Sequence, residues 1–187
     1  MRGIVITTSE HTKDFLVDCL NSIIPPHISA KTNYPILVVH NDSNIVYSKD
    51  LETGITHVGN NWNGFELGGI LRGKETFSEF VHLMDTTIVK DSSIFDKLFE
   101  YKGHVFLTDG GYHYMGKFNS NDLPEIPKIN SKPEAIALEL HWLRGREAFY
   151  FKPDLPVHTN VFEEKHGRKN MVLENDFIIK YKATWSL

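Results

Sequence analysis

The sequence predicts one α/β domain whose central sheet is mostly parallel and is covered by helices. Over about the first 110 residues, short apolar runs alternate with segments of helical periodicity. The apolar runs are continuous, which is typical of strands buried on both faces. The length of 187 residues suits a single hydrophobic core. After residue 110 the pattern changes, and it predicts a small antiparallel ribbon in the C-terminal part.

The N-terminal part contains five predicted strands and three predicted helices. The first helix has apolar residues at helical spacing and should end before Pro25-Pro26, because proline cannot continue a helix. The third helix should be capped by Asp91 or Ser92. The predicted strands are 3–8, 35–39, 55–58, 80–84 and 104–107, and the predicted helices are 13–24, 65–77 and 91–101.

The C-terminal part is less regular. Its weak alternation over 112–118 predicts an antiparallel strand, and the Asn-, Ser- and Pro-rich segment 119–133 is typical of a loop. A helix over 134–144 follows. Short strands are expected at 149–151 and at Val157, with a last strand or tail over 177–185.

Composition excludes several classes of protein. The 20 Lys and Arg residues against 24 Asp and Glu give a net charge of −4, which argues against general nucleic-acid binding. The single cysteine, Cys19, cannot form an internal disulfide. No apolar run approaches the roughly 20 residues that span a bilayer, and no signal peptide is recognised. We therefore expect a cytoplasmic protein without a membrane span.

Polar residues follow the predicted parallel strands, and ligands of open α/β sheets bind at these carboxyl ends. The ends read Thr7-Thr8-Ser9-Glu10, His40-Asn41-Asp42-Ser43, Asp85-Thr86-Thr87 and Thr108-Asp109-Gly110-Gly111. Asp, Asn, Ser and Gly are common in turns for structural reasons alone. An acidic residue at all four strand ends nevertheless favours a binding site. The sequence lacks a phosphate-binding P-loop, a Gly-x-Gly-x-x-Gly fingerprint and a Gly-x-Ser-x-Gly nucleophile elbow.

The order of these segments resembles the family 2 nucleotide-sugar glycosyltransferases, which have the Rossmann-like A-type glycosyltransferase fold. The resemblance covers roughly residues 3 to 160. The matching segments are Ile4–Ile24, Pro35–Ser43, Asn61–Gly69, Val81–Ile88 with the helix after it, Glu139–Arg144, Phe149–Pro153 and Val157–His158. It implies a nucleotide-sugar-binding half over 1–110 and an acceptor-side half over 111–187.

The resemblance also implies roles for individual residues. Asp85 would hold a divalent cation, Mn or Mg, which neutralises the diphosphate leaving group. His158 would be a further ligand of the cation or would contact the diphosphate. Residues that follow the first and second predicted strands, together with the turn at Asn63-Gly64, would bind the base, ribose and phosphates of the donor. This donor-binding set is Thr7, Thr8, Glu10, Asn41, Asp42, Asn63 and Asp85.

Three positions depart from the family pattern. Asp85-Thr86-Thr87 has one acidic residue where the family has two, and a threonine hydroxyl binds cations more weakly than a carboxylate. His40 replaces an Asp. Ile136-Ala137 stands where the family has a Glu-Asp dipeptide whose Asp is the general base. The candidates for the general base in this chain are therefore Glu134, Glu139 and Asp109.

The resemblance thus implies a small glycosyltransferase that moves a sugar from a nucleotide-diphosphate donor to an unknown carbohydrate, lipid or protein acceptor. A catalytically impaired protein that binds nucleotide sugars or carbohydrates is the alternative, because the cation and base motifs are degenerate. A structural protein that reuses the fold without a ligand is a third. A homo-oligomer is compatible with each of these.

Overall fold

The structure is a computed structural model that describes residues 1–24, 33–107, 114–129, 131–139, 143, 148–150, 171–174 and 176–181. Within this part the strands are β1 (Arg2–Thr8), β2 (Ile36–His40), β3 (Ser48–Lys49), β4 (Thr56–Gly59), β5 (Glu79–Met84), β6 (Thr87–Val89), β7 (His104–Phe106), β8 (Gly116–Asn119), β9 (Ala148–Tyr150), β10 (Met171–Glu174) and β11 (Ile178–Tyr181). The α-helices are α1 (Lys13–Ile23), α2 (Phe65–Thr76), α3 (Ser93–Glu100) and α4 (Lys132–Glu139).

Eight strands form the main sheet, in the order β3-β4-β2-β1-β5-β8-β7-β9. The neighbours β4, β2, β1 and β5 are parallel, and so are β7 and β9. The short edge strand β3 and the strand β8 are antiparallel to their neighbours. The predicted α/β class with a mostly parallel sheet is confirmed.

A second sheet joins β10, β11 and β6 in antiparallel pairing. It is connected to the main sheet through β6, which follows β5 after the two-residue turn Asp85–Thr86. The expected antiparallel ribbon is therefore present. The last strand, Ile178–Tyr181, pairs with β6 rather than forming a free tail.

Both faces of the main sheet are buried, as the continuous apolar strands predict. Alternate residues of β1 point to opposite faces, so Ile4 and Ile6 pack with α1 and α3 while Val5 packs on the α2 side. The α1 residues Leu16, Cys19 and Ile23 and the α3 residues Ile94, Phe95, Leu98 and Phe99 fill the first face. Leu67, Ile70 and Ala135, from α2 and α4, fill the second.

Four predicted boundaries need correction or lie outside the described residues. The segment 119–133 is not all loop, because a 3-10 helix spans Ser120–Asp122 and α4 already begins at Lys132. The strand expected over 112–118 is described from Gly116 onward. The part of the fourth predicted helix beyond Glu139 is not described as helix, and Val157 lies outside the described residues.

No helix in the described ranges is long and apolar enough to cross a lipid bilayer.

Candidate functional site

The carboxyl ends of the parallel strands meet at one edge of the main sheet. The amide of Asn41 donates to the Thr8 carbonyl at 3.0 Å, and the amide of Asp85 donates to the Thr7 carbonyl at 3.0 Å. On the other side of β2, the Asn60 amide donates to the His40 carbonyl at 2.8 Å. These bonds extend the strand register by one residue, so they bring the predicted residues Thr8, Asn41 and Asp85 to one edge.

Asn41 is only 4% exposed, and its side-chain amide holds the start of α2. Its Nδ2 donates to the Phe65 carbonyl at 2.7 Å, while its Oδ1 accepts from Asn60 Nδ2 at 3.2 Å. Asn60 Oδ1 in turn accepts from Arg72 Nε at 2.8 Å. Gly68 is required here, because a Cβ on it would lie 2.5 Å from Asn41 Oδ1. The side chain of Asn41 is thus used in packing, and its donor-binding role stays a prediction.

Three other predicted donor-binding residues lie at the surface or in turns. Glu10 is exposed and pairs with Lys13, whose hydrogen bond and charge lower the pKa of the Glu10 carboxyl. Asp42 is exposed, with a left-handed backbone at φ 54°. Asn63 Oδ1 accepts from the Phe65 amide at 3.1 Å and so closes the turn before α2. Their roles in binding a nucleotide stay predictions.

Thr7 turns its hydroxyl into the core, where it meets His82 of β5. Thr7 Oγ1 lies 2.7 Å from His82 Nε2, and the Nδ1 of the same ring bonds the carbonyl of Tyr114. A carbonyl can only accept, so Nδ1 carries the proton and Nε2 accepts from the Thr7 hydroxyl. Complete burial lowers the pKa of His82 to about 4, against the opposing effect of the Tyr114 carbonyl.

Half-buried His40 lies at the end of β2, where the resemblance expects an Asp. Its Nε2 is 2.9 Å from Nδ1 of His57 on β4. Burial lowers the pKa of both imidazoles, and the neighbouring His57 lowers that of His40 further. At neutral pH this pair is therefore uncharged.

Asp85 occupies the turn between β5 and β6 and is 3% exposed. Burial raises the pKa of its carboxyl to about 6. The hydroxyls of Thr12 and Thr8, the charge of Lys180 and the Thr86 amide favour the ionised form and oppose that rise. Its Oδ2 nevertheless makes no hydrogen bond.

Lys180, in β11, is the site residue that sequence reasoning missed. It lies opposite Thr87 of β6, is 2% exposed, and donates from Nζ to Thr86 Oγ1 and, at 2.9 Å, to the Tyr181 carbonyl. Burial lowers the pKa of this ammonium to about 8, while the negative charges of Asp85 and Glu66 oppose the shift. The sequence signal was present, since a lysine stands inside the apolar run Ile178–Tyr181.

Five residues therefore form one buried group, which we call the Asp85 cluster: Thr8, Asp85, Thr86, Thr87 and Lys180. Each is at most 3% exposed. Buried polar atoms are normally hydrogen-bonded. In this cluster, however, Thr8 Oγ1, Asp85 Oδ2 and Thr87 Oγ1 make no hydrogen bond of ordinary geometry.

A divalent cation fits the described residues poorly. Such ions prefer several oxygen or imidazole ligands. Among the described residues, no three His, Cys, Asp or Glu side chains converge. The charge that acts on the Asp85 carboxyl is instead the ammonium of Lys180, which would repel a cation. His158 lies outside the described residues, so its role and that of Asp85 as metal ligands stay predictions.

Two of the three candidate general bases lie in helix α4. Glu134 is exposed in the first turn of α4, and Glu139 is the last residue of that helix. The helix packs against α2. Asp109 lies outside the described residues. The catalytic role of all three stays a prediction.

Comparison with solved structures finds TarS of S. aureus, a glycosyltransferase of the A type. The structure of TarS 1–349 superposes with a TM-score of 0.53 at 9% identity, over 82% of this chain and 58% of that one. A second TarS structure gives 0.51 at 10% identity, over 82% and 35%. The chain thus spans less than two thirds of either structure's length. No known family model and no curated protein sequence matches it. The likeness shows the fold alone, which is an α/β fold of the A-type glycosyltransferase kind.

Proposed function

We propose that this chain is a glycosyltransferase that binds a nucleotide-diphosphate sugar at the carboxyl edge of its main sheet. One observation carries the proposal: Asp85, at the end of β5, lies beside Thr8, at the end of β1, in a fold shared with TarS. This is where open α/β sheets bind their ligands. The sequence resemblance implies the same position for the diphosphate.

The reaction would break the bond between the sugar's anomeric carbon and the diphosphate oxygen, which leaves with both electrons. A hydroxyl of the acceptor forms the new bond to that carbon and gives up its proton. Positive charge near the diphosphate favours its departure, and a base that takes the proton favours attack. Glu134, Glu139 and Asp109 are the candidate bases. The acceptor is a carbohydrate, a lipid or a protein.

A second candidate function is binding of the nucleotide sugar without turnover. It is favoured by two substitutions at positions where the resemblance expects chemistry. Asp85-Thr86-Thr87 has a single carboxylate, and Ile136-Ala137 replaces the expected acidic pair. Neither an isoleucine nor an alanine can accept a proton.

A two-stage experiment tests the proposal. Thermal unfolding is first followed with UDP, GDP and their common sugar conjugates, each with EDTA and with Mn²⁺, because a ligand that binds only the folded chain raises the melting temperature. Hydrolysis of each stabilising donor is then measured for the wild type and Asp85→Asn. Asp122→Asn is the matched control, since Asp122 is exposed and follows β8 near the amino end of β5.

The glycosyltransferase proposal expects stabilisation by a nucleotide sugar, slow hydrolysis of it, and a loss of hydrolysis in Asp85→Asn but not in Asp122→Asn. Stabilisation without hydrolysis by any variant would support the binding protein instead. If no nucleotide or nucleotide sugar stabilises the chain, both functions are wrong.

A further inference from the structure

The Asp85 cluster lacks hydrogen-bond partners in a specific pattern. Neither Thr8 Oγ1 nor Thr87 Oγ1 makes a hydrogen bond of ordinary geometry, so each hydroxyl can donate one; the Thr8 hydroxyl is nevertheless near enough to the Asp85 carboxyl to favour its ionised form. The ammonium of Lys180 has three N–H donors but only two acceptors among the described residues, Thr86 Oγ1 and the Tyr181 carbonyl. On the other side, Asp85 Oδ2 is an acceptor without a donor. The cluster thus offers up to three donors and one acceptor.

The charges of the cluster are also incompletely paired. Asp85 and Lys180 influence each other's ionisation, yet these two described side chains form no direct ion pair. Buried charges without direct partners are costly. Lys117, the other fully buried lysine of the described chain, shows the contrast, because it bonds Glu79 at 2.5 Å and two carbonyls at 3.0 Å.

A sugar diphosphate has the complementary pattern. Its phosphate oxygens accept hydrogen bonds and carry negative charge, while hydroxyls of its ribose or sugar donate. Lysine is a common phosphate-binding residue and acts as a point charge. One such ligand could therefore use the donors of Thr8, Thr87 and Lys180 and the acceptor of Asp85 together.

We propose that Lys180 supplies the positive charge for the donor's diphosphate, so that the chain binds a nucleoside diphosphate without a divalent cation. The proposal rests on the proposed function and specifies its site. Lys180 and the hydroxyls of Thr8 and Thr87 donate to phosphate oxygens, and Asp85 Oδ2 accepts from a ligand hydroxyl. The carboxylate of Glu66, in the first turn of α2, helps to keep Lys180 charged. Because the cluster is closed to solvent, the ligand enters by a local opening, as at enzyme lids.

The test is calorimetric binding of UDP and GDP, each measured in EDTA and in Mn²⁺. Wild type is compared with Lys180→Met, which keeps a long side chain but removes the charge, and with Lys180→Arg, which keeps it. Lys117→Met is the matched control, since it removes the other buried ammonium. Uridine and guanosine serve as ligands without phosphate. Thr8→Val provides a variant that keeps all charges in place.

We expect the tighter of the two nucleotides to bind wild type with less than about a twofold difference between EDTA and Mn²⁺. Loss of a charged hydrogen bond weakens binding by roughly tenfold to a hundredfold, so Lys180→Met should show this loss for the nucleotide and not for its nucleoside. Thr8→Val should weaken nucleotide binding several-fold. Lys180→Arg, which keeps the charge, should retain more nucleotide affinity than Lys180→Met, and Lys117→Met should remain close to wild type.

Nucleotide binding that requires Mn²⁺ overturns this inference and leaves the proposed function standing. Equal affinities of wild type and folded Lys180→Met would overturn it as well. If Lys180→Met does not fold, two other measurements test the inference: nucleotide binding by the wild type in EDTA and in Mn²⁺, and nucleotide binding by Thr8→Val. No binding of either nucleotide under any condition contradicts both the inference and the proposed function.

Discussion

Gly69 of α2 lies so close to Thr7 of β1 that a Cβ on Gly69 would come within 1.8 Å of the Thr7 hydroxyl oxygen. The same Cβ would be 2.8 Å from His82 Nε2. The first turns of the helix therefore lie in close contact with the carboxyl ends of the strands. The glycines of α2, which weaken it as an isolated helix, allow this approach.

Gly69→Ala should destabilise the chain, although alanine normally stabilises a helix interior by about 1 kcal/mol relative to glycine. Overpacking typically costs about 1–3 kcal/mol, and we expect a net loss of that order in urea unfolding. Thr7→Ala in the same chain removes the nearest atom, so Gly69→Ala should cost less in that background. Equal costs in both backgrounds would show that Thr7 is not the contact that matters.

His82 should make stability depend on pH below neutrality. Its pKa is about 4 in the folded chain and near 6.5 when unfolded, so between these values the unfolded chain binds a proton that the folded chain does not. The free energy of unfolding should therefore fall by about 3 kcal/mol from this residue as pH drops from about 6.5 to about 4. Above pH 6.5 the contribution is fully present.

Urea unfolding of wild type and His82→Gln at several pH values isolates this effect. Asp85, whose pKa is raised, acts with the opposite sign between about pH 4 and 6, and the half-buried His40 and His57 act with the same sign as His82. These contributions cancel in the difference between the two proteins. His11→Gln controls for loss of an exposed imidazole. Parallel pH curves for wild type and His82→Gln would contradict the prediction.

Asn41 and Asp42 are adjacent residues that should respond differently to substitution. Asn41→Ala leaves the Phe65 carbonyl and the Asn60 side-chain amide without their buried partner. The free energy of unfolding should therefore fall by about 1–3 kcal/mol. Asp42→Asn removes an exposed carboxylate while keeping a residue type that tolerates φ 54°, and it should change stability by less than about 0.5 kcal/mol. Chemical denaturation of both variants checks the contrast. If Asn41→Ala is as stable as Asp42→Asn, the side-chain bonds to α2 contribute little.

The parallel strands of the core could be predicted from the sequence because each of them has a strong local pattern. The strands β1 and β2 contain continuous apolar runs, β5 is apolar apart from Glu79 and His82, and each of the three ends at a polar turn. Helix α3 has a clear apolar face in Ile94, Phe95, Leu98 and Phe99. The predicted meeting of Thr8, Asn41 and Asp85 at one edge follows from parallel topology alone.

Short strands and long-range pairings were not predictable in the same way. The strands β3, β6 and β10 have two to four residues and depend on partners elsewhere in the chain. Lys180 lies in the site only because β11 pairs with β6, the strand that begins two residues after Asp85. The buried role of Asn41 depends likewise on how closely α2 approaches at Gly68, which no local pattern specifies.

Nucleotide-induced shifts of backbone amide resonances test the central claim most directly. In ¹⁵N spectra recorded with increasing UDP or GDP, we expect the amides of Thr8, Asp85 and Thr86 to shift. The amides of Arg2, Ile36 and Glu79, at the amino ends of the same strands, should stay in place. Shifts confined to the amino ends, or no shift with either nucleotide, would contradict a donor site at the carboxyl edge of this sheet.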